Sequence, residues 1–78
     1  MSNFWSKEEE IGRVKKNKNN EIVVKKCERK NIEYLDVRIY SYDNYTDNFV
    51  PTSKGFNIEV DKAKELLDFI QQVINKER

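Results

Sequence analysis

Ile32-Glu33-Tyr34-Leu35-Asp36-Val37-Arg38-Ile39-Tyr40-Ser41-Tyr42 is the stretch on which the fold turns. It is rich in β-branched and aromatic residues and alternates without a break, as a half-buried strand does. Leu35, Val37 and Ile39 point one way; Tyr34, Asp36, Arg38, Tyr40 and Tyr42 point the other. Lys30-Asn31 separates this strand from a second one, Glu21 to Arg29 (EIVVKKCER). Two residues with asparagine second suit a tight hairpin turn. That turn sets a register: 29 opposite 32, 27 opposite 34, 25 opposite 36 and 23 opposite 38. One face then carries Ile22 and Val24 beside Leu35, Val37 and Ile39, with Lys26 at its rim, and is the expected core face. The other carries Val23, Lys25, Cys27 and Arg29 beside Tyr34, Asp36, Arg38 and Tyr40. A slip of one residue would invert both faces, so the agreement of two separately read strands is an internal check.

Outward from the hairpin, Ile11 to Lys16 (IGRVKK) predicts a short first strand, followed by an asparagine-rich turn at Asn17-Lys18-Asn19-Asn20. Downstream, Asp43 to Lys54 (DNYTDNFVPTSK) reads as a long polar loop closed by Pro51 and Gly55. Phe56, Ile58 and Val60 alternate with Asn57 and Glu59 and predict a last strand. Asp61 is a good helix N-cap. Ala63, Leu66, Leu67, Ile70, Val73 and Ile74 recur at helical spacing over 62–76, with Lys76 and Arg78 near the end where the helix dipole favours cations. Phe69 widens the apolar stripe beyond the needs of one small sheet face, so Leu66, Phe69, Ile70 and Val73 are candidate dimer contacts. Residues 1–10 (MSNFWSKEEE) are polar and acidic apart from Phe4 and Trp5 and read as a loose arm, which Trp5 could pin to the body. The expected fold is α+β: a four-stranded antiparallel sheet followed by one C-terminal helix (β-β-β-β-α), a single domain over 11–78. A single helix covers one sheet face and leaves the other open.

The chain has 78 residues, enough for one domain with a modest core. Its net charge of +1 hides a segregation. Residues 13–30 hold eight Lys/Arg against Glu21 and Glu28; residues 31–50 hold Arg38 against Glu33, Asp36, Asp43 and Asp47. There is one cysteine and no histidine, which leaves no intrachain disulfide, no histidine-based triad and no ordinary zinc site. With only Gly12 and Gly55, no glycine-rich phosphate loop can be built. No nucleophile–base pair or metal set can be assembled, so neither an enzyme, a cofactor nor a small-molecule substrate is expected. Glu8–Glu10 reads as a tail feature rather than an acid/base pair, and Cys27 as a space-filler or passive thiol. No apolar run approaches a membrane span or a signal peptide, so no membrane partner and a cytoplasmic location are expected, nucleoid-associated in a prokaryote.

Interleaved cations and tyrosines on an open sheet face fit single-stranded nucleic acid, whose bases stack on aromatic rings while its phosphates need fixed cations. Arg38 flanked by Tyr34, Tyr40 and Tyr42 offers both kinds of contact. Lys25 and Arg29 add charge from the neighbouring strand, and Lys15, Lys16 and Lys18 from the first strand and its turn. The same residues also suit a plain solvated face or a protein interface, since tyrosine and arginine cover sheets well and Lys25 opposite Asp36 is an ordinary cross-strand ion pair.

The order of elements and four strings resemble the transcriptional coactivator family positive cofactor four, in its short prokaryotic form. The strings are Ile11-Gly12-Arg13-Val14-Lys15-Lys16-Asn17, Asn20-Glu21-Ile22, Tyr34-Leu35-Asp36-Val37-Arg38-Ile39-Tyr40 and Val50-Pro51-Thr52-Ser53-Lys54-Gly55-Phe56. The resemblance spans about residues 11–75. It implies a homodimer with helices at the interface, and binding of single-stranded DNA largely without sequence preference; the residues themselves leave RNA open as the strand bound. A transcription-associated or DNA-melting role is implied with it. The alternative is a module that contacts the transcription machinery, with nucleic acid incidental. By position, Arg38 matches the family's sheet arginine, Tyr40 the aromatic beside it, Lys54 the lysine before the last strand's glycine, and Lys15 and Lys16 the basic end of the first strand. Arg29 stands where some members carry a stacking aromatic, and Asn31 where many carry the hairpin glycine. The first departure implies more reliance on charge at that position.

Overall fold

The computed structural model describes residues 4–76. Four strands, β1 (Lys7–Asn17), β2 (Asn20–Arg29), β3 (Ile32–Asp43) and β4 (Asn48–Glu59), precede one helix, α1 (Val60–Lys76). They form one antiparallel sheet in the order β1-β2-β3-β4, the expected α+β architecture. The β2–β3 register is the expected one: Arg29 opposite Ile32, Cys27 opposite Tyr34, Lys25 opposite Asp36, Val23 opposite Arg38. Lys30 and Asn31 both take positive φ, 53° and 66°, as a type I′ turn requires. Asparagine tolerates that region; Lys30 is held there by the hairpin on either side.

Three boundaries differ by two residues or more from the sequence reading. β1 starts at Lys7, not Ile11, because Lys7 to Glu10 pair with Glu28 to Lys25 of β2. The arm therefore becomes strand from residue 7, while residues 1–3 and Arg78 lie outside the described residues. β4 starts at Asn48, inside the stretch expected to be loop. Only residues 44–47 turn, anchored by Asp43, whose carboxylate accepts hydrogen bonds from the Thr46 backbone (3.0 Å) and hydroxyl (2.9 Å). Pro51 fits this strand because β4 is an edge, where backbone groups facing outward need no partner. Ile39 faces a bulge of Thr52, Ser53 and Lys54, and Gly55 follows it with φ 155°. A Cβ at Gly55 would sit 2.4 Å from the Val37 carbonyl oxygen, so only glycine lets β4 rejoin β3 there. Finally, α1 begins at Val60, which places Asp61 inside the first turn rather than at the cap. Its charge still suits the N-terminal dipole.

Burial corrects a larger expectation. The face of Ile22, Val24, Leu35, Val37 and Ile39 is only half-buried, and Ile11, Val14 and Phe56 around it are exposed. Among the described residues the buried ones are Val23 and Cys27 (1% exposed each), Asp36 and Tyr40 (8%), all on the opposite face. The reason is the helix. It leans on β3 and β4, but only Ala63 and Leu66 are even half-buried, and no residue of it is buried. Phe69, Ile70 and Val73 face solvent, Val73 at 62% exposure. One short helix does not cover the apolar face of a single chain.

Candidate nucleic-acid interface

Register assigns each candidate residue to a place. Lys25 and Arg29 of β2 share one face with Tyr34, Arg38 and Tyr40 of β3, as the alternation requires. Lys15 lies at the edge of the same face, opposite Glu21. Lys16 sits at a β1 irregularity and Lys18 in the β1–β2 turn. Lys54 stands in the β4 bulge, next to Gly55, which is the residue opposite Arg38. These four lysines are exposed, and none has an ion-pair partner among the described residues.

The centre of the face is built in layers. Val23 lies between Arg13 on β1 and Arg38 on β3, and Cys27 between Glu8 and Tyr34. Long side chains bury their aliphatic stems over these small apolar ones and keep their charged heads outward. Tyr40 is the hub. The Arg13 guanidinium lies 5.2 Å from its ring centroid and the Lys25 ammonium 5.5 Å, both within cation–π range. Tyr40 is therefore a buried foundation, not the open stacking platform expected from sequence. Arg38 donates to Asp36 (3.1 Å) and to the Thr52 carbonyl (3.2 Å), so its fork is fixed. Thr52 in turn donates to the Ile39 carbonyl at 2.7 Å and accepts from Lys54 N at 3.2 Å. The bulge thus couples Lys54 to the arginine.

Carboxylates occupy this face as fully as cations do. Arg13 pairs with Glu10 (2.7 Å) and Glu21 (2.9 Å), and Lys25 pairs with Glu8 (3.0 Å). The expected Lys25–Asp36 ion pair does not form. Asp36 takes Arg38 instead, and Glu8 takes Lys25. Hydrogen bonding from Arg13 holds the Glu10 carboxyl below its ordinary value. Burial works against the Lys25 ammonium, but its contact with Tyr40 and its hydrogen bond to Glu8 outweigh it, so Lys25 keeps its proton more tightly than a free lysine. The partners from β1 were not visible as such in the sequence. The irregularity at Ile11 shifts parity, so even-numbered Glu8 and Glu10 share a face with odd-numbered Arg13.

Two aromatic residues complete the surface. Trp5 packs on Tyr34 with ring centroids 5.2 Å apart, and Phe4 lies under the Arg29 guanidinium at 4.1 Å. Ser6 ties this segment down through two 2.8 Å hydrogen bonds, from its backbone and its hydroxyl, to the Glu28 carbonyl. At the far end Tyr42 meets Phe49 edge-to-face at 5.6 Å, and Tyr45 stands fully exposed at the tip of the turn.

Cys27 is a space-filler. Burial first, then the negative charges of Asp36 and Glu8, push its thiol up to about 11 from 9.0. Neutral thiol is thus favoured in the fold. The resulting stabilisation is present in full below pH 9 and is lost as pH rises through 11. Alkylation by iodoacetamide, followed by mass, is expected to be far slower in native protein than in urea at the same pH. A native rate close to the rate in urea would contradict the burial argument. Among the described residues no group of three or more His, Cys, Asp or Glu side chains could hold a metal ion, and no helix is long and apolar enough to cross a membrane.

No family model matches the chain, and no curated protein and no solved structure matches it significantly.

Proposed function

We propose that the chain binds single-stranded DNA, largely without sequence preference, through the Tyr40 face, and that it does so as a homodimer in a transcription-associated or DNA-melting role. The observation that carries the reading is the rank of cations around that face. Arg29 and the half-buried Arg38 stand on that face and Lys15 at its edge, while Lys16 at the β1 irregularity, Lys18 in the β1–β2 turn and Lys54 in the β4 bulge are further exposed cations without ion-pair partners among the described residues. Tyr34 is half-buried with a flat ring beside them. A flexible strand with one phosphate per base can follow such a rank while its bases stack locally. The helix contributes none of the polar or aromatic contacts on this face except Lys62 to Glu59 at its root, which leaves the apolar helix stripe for a second chain. The resemblance in the strings around Tyr34–Tyr40 and Val50–Phe56 supports the same reading.

Fluorescence anisotropy with a labelled oligodeoxythymidylate tests it. Binding is expected to weaken steeply with salt, with a log–log slope of about −0.7 per phosphate contact. Lys15→Ala/Lys16→Ala/Lys18→Ala removes exposed, unpaired cations and should leave the fold intact. The slope should fall by about 2, and affinity at about 0.1 M salt by one to two orders of magnitude. No binding at low salt ends the proposal; an unchanged slope moves the site away from the β1–β2 end.

A further inference from the structure

The segment from Phe4 to Glu10 meets the Tyr40 face in the way a short nucleic-acid strand would. Its aromatic rings occupy the stacking groups: Trp5 lies on Tyr34 and Phe4 under Arg29. Its carboxylates occupy the cations: Glu8 sits on Lys25 at 3.0 Å and Glu10 on Arg13 at 2.7 Å. Ser6, between the two groups, is fastened to Glu28 by its backbone and its hydroxyl. Base-like rings and phosphate-like charges thus follow one another along one continuous piece of chain. Arg29, Tyr34 and Lys25 are groups the proposed ligand would need, and Arg13 lies beside them over Tyr40.

Resting on the reading of this face as a single-stranded-DNA site, we infer that residues 4–10 are a built-in strap that competes with the nucleic acid for Arg29, Tyr34, Lys25 and Arg13. A strand that binds must displace Phe4 and Trp5 and exchange carboxylates for phosphates. The competition is local. Glu9, between Glu8 and Glu10, lies on the opposite face opposite Lys26 and takes no part. The strap lowers affinity for short or weakly stacking strands and leaves a long strand, with more phosphates to offer, able to lift Phe4 and Trp5 and turn the Glu8 and Glu10 side chains aside while Lys7 to Glu10 stay paired in β1. It also lowers the apparent salt dependence, because carboxylates leave as phosphates arrive and fewer counterions are released.

Full-length variants test this against the same labelled oligodeoxythymidylate. Phe4→Ala/Trp5→Ala removes the rings, and Glu8→Gln/Glu10→Gln removes the charges without shortening β1. Each is expected to bind roughly three- to tenfold more tightly than wild type, the range that two exposed ion pairs or cation–π contacts can supply. Glu9→Gln/Glu33→Gln makes the same charge change on the other face, so its gain should stay under about twofold at the same salt. Trp5 is the sole tryptophan, so the wild type reports on itself. Its emission should shift to the red as the oligonucleotide lifts it from Tyr34. Weaker or unchanged binding by Phe4→Ala/Trp5→Ala would overturn the strap, as would a Glu8→Gln/Glu10→Gln gain no larger than the control's. Wild-type binding with these affinities unmoved refutes the strap alone. No binding by wild type or any variant refutes the nucleic-acid reading and the strap together.

Discussion

Tyr40→Ala is expected to lose about 3–5 kcal/mol of folding stability, the range for truncating a buried aromatic ring. A 78-residue domain has roughly 4–12 kcal/mol in total, so the variant should be largely or wholly unfolded at 25 °C. Tyr40 is 8% exposed, and among the described residues only Val23 and Cys27 join it as buried hydrophobic side chains. Its loss also strips both cations of the ring they rest on, Arg13 at 5.2 Å and Lys25 at 5.5 Å. Tyr40→Phe keeps the ring and should stay within about 1 kcal/mol of wild type. Urea unfolding followed by circular dichroism separates the two. A midpoint for Tyr40→Ala close to that of Tyr40→Phe would show that the ring is a surface group after all. The outcome bears on function as well. A loss of DNA binding in Tyr40→Ala would report unfolding, so affinity at this site has to be read from Lys15, Lys16, Lys18 and Lys54, whose removal leaves the core alone.

The hairpin shows what alternation can and cannot decide. The strand from Ile32 and the turn at Lys30-Asn31 fix which residues share a face, and that assignment holds at every pair from Val23–Arg38 to Arg29–Ile32. They do not fix which face is closed. Apolar pattern alone assigns Leu35, Val37 and Ile39 to the interior. Yet burial in one chain depends on what lies above the sheet, and α1 covers little of it. On the other face, Val23 lies buried between Arg13 and Arg38 and two residues from Lys25, long side chains with apolar stems that composition counts as polar. The charge pattern misleads for a related reason. The excess of cations over residues 13–30 is local in sequence but not in space, because β1 brings Glu8 and Glu10 onto Lys25 and Arg13. The β4 boundary is missed because proline and polar residues read as loop, while an edge strand accepts both.

Disrupting the apolar face is expected to have the second large effect. If the chain is the proposed homodimer, Phe69→Asp/Val73→Asp should leave a monomer that is mostly unfolded at micromolar concentration. Leu66, Phe69, Ile70 and Val73 lie at i, i+3, i+4 and i+7, one stripe of α1, and the last three are exposed in the single chain. Ile11, Val14 and Phe56 expose further apolar area on the sheet. A monomer with three buried hydrophobic side chains has little to set against the entropy of ordering its backbone. A second copy burying both stripes would supply the missing core, so folding and association become one equilibrium. For the wild type, light scattering should give twice the 9.4 kDa chain mass, and the melting temperature should climb with protein concentration. A wild type that stays monomeric at micromolar concentration and melts at a concentration-independent temperature would refute this. In that case the Tyr40 face alone, with its layered cations and buried ring, would have to hold the fold. Tyr40→Ala would then become more damaging rather than less, so the two experiments constrain each other.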